Sequence, residues 1–457
     1  MSSIDVNRSG AMPVVDRAGW FRDARYGLFI HWGPYAAISR GEQSLFREQR
    51  DPAAYERDAC RWDPQGYNAR AWARAAVAGG FRYAVLTARH HDGYCLWDSQ
   101  LTNYTSQRQA PGRDFVGEYV EAFRSAGLRV GLYYSLADWR VPAYWRAAAD
   151  DPAAWAVFRR YIHGQVEELL TGYGPIDVLW FDGAWPHPAA DWDSHGLLQM
   201  IRRLQPEILV NNRLDSDSPF DEPAGAVEAA GQSRVLGDFG TPEHHITAEA
   251  HRPWESCQVT TSRLWGYAGG EHWRPPWQLM DMLCEAASKG GNLLLNVGPD
   301  GDGRLPSPFL ESTSLIGAWL KRNGEAIYRT QAADVTQFVT QGYQTQRDNV
   351  LYLILRFWHE GLGEVRLPHL ATPILDARWL DTDQPLQVRR EPHAWVIRTP
   401  PRDVPPPGYP VIRVTCDGPP QSTAAGRQRL WSGDPATHLP WVGRRPEPPW
   451  HVGSSQP

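Results

Sequence analysis

The chain is poor in the features that mark several large protein classes. Its five cysteines, Cys60, Cys95, Cys257, Cys284 and Cys416, are odd in number, scattered and never spaced as CxxC. That argues against a disulfide framework and against a structural zinc site. No run of about 18 apolar residues occurs, so no membrane-spanning helix is expected. The opening "MSSIDVNRSGAMPVVDRAGW" lacks the apolar core of a secretory signal, and the setting it suggests is reducing and cytoplasmic. Lys and Arg number 46 against 52 Asp and Glu, a formal net charge of -6 with no long run of either sign. Nucleic acid, which demands a basic patch, is not an expected partner.

What the chain has is length and aromatics. Its 457 residues, 42% of them hydrophobic, suit one large domain and a smaller one. The 22 Trp serve core packing in the first instance, and flat apolar platforms in an open cleft in the second.

From about residue 20 to 330, short apolar runs alternate with amphipathic helices. "YGLFIHWG", "YAVLTARHHDG", "RVGLYYSLADW", "IDVLWFDG", "EILVNNR" and "NLLLNVGPDGDG" read as strands. Between them, "NARAWARAAVAGG" offers Asn68 as a cap and Gly79 as a stop, and Trp155, Phe158, Ile162, Val166 and Leu169 form a helical stripe. Near-continuous apolar strands separated by helices imply a parallel sheet covered on the outside. Six or seven such strands, with no glycine-rich phosphate loop after the first, fit an irregular (β/α)8-like TIM barrel over residues 1–332. Short strands broken by Pro, Gly and Asp then predict a small β-sandwich over 333–417, and 418–457 reads as a mostly unstructured tail, disordered or extended.

In a parallel barrel, chemistry sits at the carboxyl ends of the strands. Polar residues cluster where the predicted strands run out: His31 and Trp32; His90, His91 and Asp92; Tyr133, Tyr134 and Trp139; Asp182; Asn211, Asn212 and Arg213; Trp254 and Glu255; Asn296. Side chains alternate along a strand, so Ile176, Val178, Trp180 and Asp182 share a face. If Val178 and Trp180 point inward, Asp182 rises from the barrel floor. A buried carboxylate there is either a structural partner or a reactive group. The histidine pair admits a metal reading, but neighbours on a strand face opposite ways, so His90 and His91 are not expected to share an ion.

Eight segments in order, among them "WFRDARYGLFIHWGPY", "LTARHHDGYCLWDSQLTNYTS", "LWFDGAW", "GDFGTPEHH" and "NLLLNVGPDGDGRLP", make residues 18–330 resemble the α-L-fucosidases of glycoside hydrolase family 29. The resemblance implies a retaining exo-glycosidase acting on fucosylated glycans or glycosides, with no metal and no cofactor. Homo-oligomerisation stays open. It implies Asp182 as nucleophile, held ionised by nearby donors, and Glu243 in "FGTPEHH" as acid/base with a pKa raised by desolvation. Glu228, Glu255 and Glu42 are the runners-up for that second role. His31, His90 and His91 match fucose-binding positions, Trp32, Tyr134 and Trp265 are candidate walls, and Arg213 matches an arginine near the nucleophile. Glu42 falls where many relatives read Glu-Trp and both side chains touch the sugar; here Gln43 follows it, a departure that reshapes one wall. Two rival readings are a non-catalytic sugar-binding protein on the same scaffold and a metal-dependent barrel hydrolase.

Overall fold

A computed structural model describes residues 16–214, 236–249, 251–333, 335, 342–359, 362–392 and 394–423. Seven parallel strands form its centre: β1 (Tyr26–Ile30), β2 (Tyr83–Arg89), β3 (Arg129–Ser135), β4 (Val178–Asp182), β5 (Leu209–Val210), β6 (Glu255–Val259) and β7 (Asn292–Val297). Their order is β5-β4-β3-β2-β1-β7-β6. The edges β5 and β6 do not pair with each other. Residues 238–244 run between them and bridge to both sides, Asn211 to Phe239, Gly240 to Trp254 and Glu243 to Cys257. Asp238 N–H donates to the Val210 carbonyl (2.6 Å), and Cys257 N–H to that of Pro242 (3.1 Å).

The strands are buried on both faces, which is why they read as unbroken apolar runs. Alternation splits their side chains into two cores. Phe29, Val85, Tyr133, Val178, Trp180, Leu209, Cys257 and Leu294 pack inside the curled sheet. Leu28, Ile30, Leu86, Tyr134, Leu179, Phe181 and Val210 pack outside, against the helices. Two strand glycines make room for the inner core. A Cβ on Gly27 would fall 2.2 Å from Cζ of Tyr83, and one on Gly131 would fall 2.9 Å from Val85 and 3.0 Å from Val178. At the amino ends of the strands, the short helix Gly19–Ala24 closes the interior. Its Phe21 lies 4.8 Å from Phe239 and 5.6 Å from Tyr83 between ring centroids.

The helices begin and end where local chemistry directs. The Asn68 side chain accepts from Ala71 N–H, and the chain leaves that helix at Gly80 (φ 87°), one residue beyond the expected Gly79. Asp151 caps the helix Pro152–Gly172, whose predicted stripe is buried. No described helix is long and apolar enough to cross a membrane.

The C-terminal part holds two antiparallel sheets. One is five-stranded, made by β8 (Gln331–Ala332), β9 (Gly342–Arg347), β10 (Val350–Leu355), β12 (Ile374–Trp379) and β15 (Val411–Cys416). The other joins β11 (Glu364–Leu367), β13 (Val388–Glu391) and β14 (Ala394–Arg398). Leu351, Leu353, Val365, Leu367, Trp379, Ile397, Ile412 and Val414 form one core drawn from both sheets. This unit docks on the helices Pro276–Ser288 and Ser307–Asn323: Trp319 Nε1 donates to the Tyr409 carbonyl (2.6 Å), and the Tyr409 hydroxyl to Asp281 (2.8 Å). Part of the expected tail is ordered, since Leu370 bridges to Ser422; residues 424–457 lie outside the described residues.

The loops after β2 and β3 are clamped by a buried ion cluster. Arg89 and Asp138 are both fully buried and 3.0 Å apart, and Arg140 meets the same carboxylate at 2.9 Å. Burial alone would raise the Asp138 pKa, but the two guanidinium charges outweigh it and hold it below its ordinary value. Replacing Asp138 by Ala strands the Arg89 charge in the core. The expected loss is about 3–5 kcal/mol, read as a lower urea midpoint with an unchanged slope.

Candidate active site

The carboxyl ends of β1 to β4 open on a cavity of about 390 Å³. His31, His90, His91, Tyr133, Asp182, Arg213, Glu243 and Trp265 line it over a floor of Phe29 and Trp180. Asp182 ends β4 in line with Val178 and Trp180, and its side chain is 13% exposed. The Tyr133 hydroxyl donates to its Oδ2 at 2.9 Å. Arg213 reaches its Oδ1 at 3.4 Å and, through the same Nη1, Oε2 of Glu243 at 2.8 Å.

Arg213 is itself held rigidly. Its Nε donates to Thr241 Oγ1 (2.8 Å), its Nη2 to the Thr241 carbonyl (3.0 Å), and its guanidinium lies 4.7 Å above the Trp180 ring. Trp180 stacks on Tyr133 at 5.5 Å. Glu243 arrives on the segment that joins β5 to β6, and its neighbour His244 packs on Trp265 at 5.1 Å.

The electrostatics invert the sequence expectation. Burial pushes the Asp182 carboxyl above its ordinary value, aided by the charge of Glu243 and opposed by Arg213, Tyr133 and the Gly183 N–H. Burial also acts upward on Glu243, but the charge and hydrogen bond of Arg213 outweigh it and leave this carboxyl low. Glu243 is both the more exposed of the two, 30% against 13%, and the nearer to the cation.

The histidines are neutral. Burial lowers His31 and His91 to about 3, and His90 falls well below its ordinary value for the same reason. The Asn296 amide donates to the Trp265 carbonyl at 2.7 Å, so its oxygen accepts from His31 Nδ1 at 2.7 Å and leaves Nε2 without a proton. Ser135 Oγ donates to the Ala137 carbonyl and accepts from His91 Nδ1 (2.7 Å), which leaves His91 Nε2 bare, 3.7 Å from Asp182. His90 Nδ1 is buried with no hydrogen-bond partner. Contrary to the alternation argument, His90 and His91 both face the cavity, with ring centroids 4.1 Å apart. β2 ends at Arg89 with a shift of register, so strand parity no longer applies beyond it. Among the described residues no three His, Cys, Asp or Glu side chains are grouped to hold a metal ion.

Several expected residues lie elsewhere. Trp32 points outward and stacks on Tyr67 at 4.9 Å. Tyr134 faces the outer core, where its hydroxyl meets Arg89 and Gln165; Tyr133 holds the inward place. The parity that turns Asp182 inward gives this, because Tyr133 pairs with Trp180 and Ser135 with Asp182. Glu42 is buried away from the cavity and accepts from Trp265 N–H (3.2 Å) and Gly266 N–H (2.7 Å), holding the loop that presents Trp265. Its neighbour Gln43 lines the cavity, with Arg47 and Trp185. These three were not singled out as binding residues; only the departure from Glu-Trp pointed to Gln43.

Glu255 begins β6 rather than ending it, and so lies at the opposite end of the sheet from the cavity. Both its oxygens are engaged, by the hydroxyl of Tyr83 (2.5 Å) and by Trp180 Nε1 (2.9 Å). Burial raises its pKa to about 7. Glu228 lies outside the described residues.

Arg213 is the one cation that lowers both cavity carboxyls. In Arg213→Gln both groups lose that favourable charge, so both titrate at higher pH, by about 1–3 units. Carbon-13 NMR titration of labelled carboxyl groups reads the two shifts directly.

Comparison with known proteins agrees with this geometry. A family model described as Alpha-L-fucosidase matches residues 12–325. The chain is 30% identical to the tissue alpha-L-fucosidase of Bos taurus over 370 residues, 75% of each chain. It is 32% identical to the plasma alpha-L-fucosidase of Pongo abelii, over 72% of this chain and 71% of that one. Among solved structures, alpha-L-fucosidase isoenzyme 1 from Paenibacillus thiaminolyticus is similar with a TM-score of 0.79 and 35% identity, covering 88% of this chain and 99% of its own. A GH29 alpha-L-fucosidase from Bacteroides thetaiotaomicron, trapped as a covalent intermediate with 2-fluoro-fucosyl fluoride, is similar with a TM-score of 0.78 and 26% identity, over 88% and 96% of the two chains. With its cavity at the carboxyl ends of a parallel sheet and two carboxyls facing one another across it, the chain belongs to the α-L-fucosidases of glycoside hydrolase family 29.

Proposed function

We propose that Asp182 is the nucleophile and Glu243 the acid/base of this retaining α-L-fucosidase, and that fucosylated glycans or glycosides are its substrates. The observation that carries the assignment is the shared contact with Arg213. One nitrogen lies 3.4 Å from an Asp182 oxygen and 2.8 Å from a Glu243 oxygen, so those oxygens are no more than about 6 Å apart. Retaining enzymes need about 5–5.5 Å between their carboxyls, and inverting ones about 6.5–9.5 Å. The scaffold is read as a (β/α)8-type barrel whose eighth strand is reduced to the segment 239–243, followed by a β-sandwich.

Asp182 attacks the anomeric carbon, the bond to the leaving oxygen breaks, and that oxygen takes the proton of Glu243. Water then gives its proton to Glu243, attacks the same carbon and releases Asp182. Tyr133 and Arg213 donate to the Asp182 carboxylate, which favours its ionised form in the resting enzyme and its departure in the second step. In the empty site Arg213 keeps Glu243 ionised. A bound leaving oxygen rewards the protonated carboxyl with a hydrogen bond. It also excludes water from a side chain that is 30% exposed when free, which moves the proton to where the first step needs it.

Binding follows from neutral acceptors and an apolar wall. His31 and His91 each hold an unprotonated Nε2 suited to a sugar hydroxyl. Phe29, Trp180 and Trp265 offer the apolar face that a 6-deoxy sugar requires for its methyl group.

Asp182→Ala should abolish turnover of an aryl α-L-fucoside while far-UV circular dichroism stays unchanged; retained turnover rules out the assignment. Glu243→Ala should lower kcat by about 10²–10⁴ on substrates with poor leaving groups, and on an aryl fucoside whose leaving group departs without acid help, added azide should speed breakdown of the fucosyl-enzyme and yield the fucosyl azide. If Glu228→Ala or Glu255→Ala shows that rescue instead, Glu243 is not the acid/base.

A further inference from the structure

Beyond the sugar cavity lies a second cleft of about 330 Å³ that shares Gln43 and Arg47 with it and continues along Arg40, Arg263 and Leu264. Arg263 and Leu264 precede Trp265 in one loop, and His244, next to Glu243, packs on Trp265. The cleft therefore leaves the cavity on the side of Glu243. An acid/base residue protonates the leaving oxygen, so the leaving group lies on its side.

The charges of this cleft are unevenly satisfied. Its two carboxylates are engaged: Glu48 pairs with Arg40 (2.7 Å) and Arg50 (2.6 Å), and Glu271 accepts from Ser262 Oγ (2.8 Å) and Arg263 N–H (3.2 Å). Two of its guanidinium groups are not. Arg47 uses only its Nε, on Gln43 at 2.8 Å, and the Arg263 side chain makes no hydrogen bond or ion pair among the described residues. In a chain of net charge -6, this leaves two planar forks facing a polar cleft, and such forks match the oxygens of a carboxylate or a sulfate ester. Gln43, which lines both the cavity and the cleft, keeps the passage between them polar.

We propose that this cleft is a leaving-group subsite for an anionic substituent, a carboxylate or a sulfate ester, borne by the glycan to which the fucose is attached. This rests on the fucosidase reading and on Glu243 as its acid/base. Arg263 is the cleaner probe, since it lies outside the sugar cavity.

The test compares kcat/KM for four substrates: an aryl α-L-fucoside, a neutral fucosylated oligosaccharide, and the same oligosaccharide carrying either sialic acid or a sulfate ester. The expected result is a preference for an anionic form over the neutral one that weakens as salt rises, and which anionic form gains identifies the substituent. Arg263→Gln should cut that preference about fivefold, Arg263→Lys should retain part of it, and the aryl fucoside should change less than twofold in both. Equal rates on neutral and anionic glycans, or a ratio untouched by Arg263→Gln, overturn the subsite while turnover of the aryl fucoside keeps the fucosidase reading intact. Failure on the aryl fucoside itself overturns both.

Discussion

One guanidinium organises the site. Arg213 lies between two carboxyls, one 13% and the other 30% exposed, that would otherwise repel each other. Two like charges so close cannot both persist in low dielectric without a cation between them. The arginine can serve because its other nitrogens are pinned on Thr241 and its face rests on Trp180. It thereby joins a strand end to the segment that links β5 to β6, so the element that completes the sheet also delivers Glu243.

This dependence explains why the floor is built as it is. Trp180 has four neighbours at once: the Arg213 plane, the Tyr133 and Phe29 rings and, through its indole nitrogen, Glu255 at the far end of the sheet. A carboxyl with a pKa near 7 is an expensive group to keep in a core, and a neutral hydrophobe would cost less. What it provides is a fixed ring orientation. The indole cannot rotate without abandoning that hydrogen bond, and Tyr133, which donates to Asp182, cannot move without losing its stack. Placement of Asp182 thus depends on packing well below it.

Much of this was legible from periodicity. The two-residue alternation of β4 pointed Asp182 inward beside Val178 and Trp180, and the structure places all three there. Caps such as Asn68 and the buried stripe of Pro152–Gly172 follow from local chemistry alone. Tyr133 could have been separated from Tyr134 by the same parity, since Gly131 must face the crowded interior between Val85 and Val178. Other features lay beyond sequence reasoning because long-range register sets them. That Glu255 begins a strand rather than ending one depends on its pairing with Asn292. That His90 and His91 face the same way depends on the strand ending at Arg89. The role of Glu42 in holding the Trp265 loop joins residues 223 and 224 positions apart, and no local pattern announces it.

The opposite directions in which the two carboxyls are shifted are the most informative departure, because they bear on when the site becomes competent. With Asp182 as nucleophile and Glu243 as acid/base, as proposed above, a nucleophile raised by burial and an acid lowered by its cation describe an empty pocket at rest. A fucoside changes both terms together: it removes the remaining water around Glu243, and its leaving oxygen accepts a hydrogen bond only from the protonated carboxyl. On the other side, Asp182 keeps the Tyr133 and Arg213 donors that favour its ionised form. Protonation of Glu243 also removes the neighbouring negative charge that raises the Asp182 carboxyl, so Asp182 ionises more readily. Under that assignment the substrate assembles the proton arrangement needed for attack, and the charge coupling between the two carboxyls that share Arg213 carries the change from one to the other.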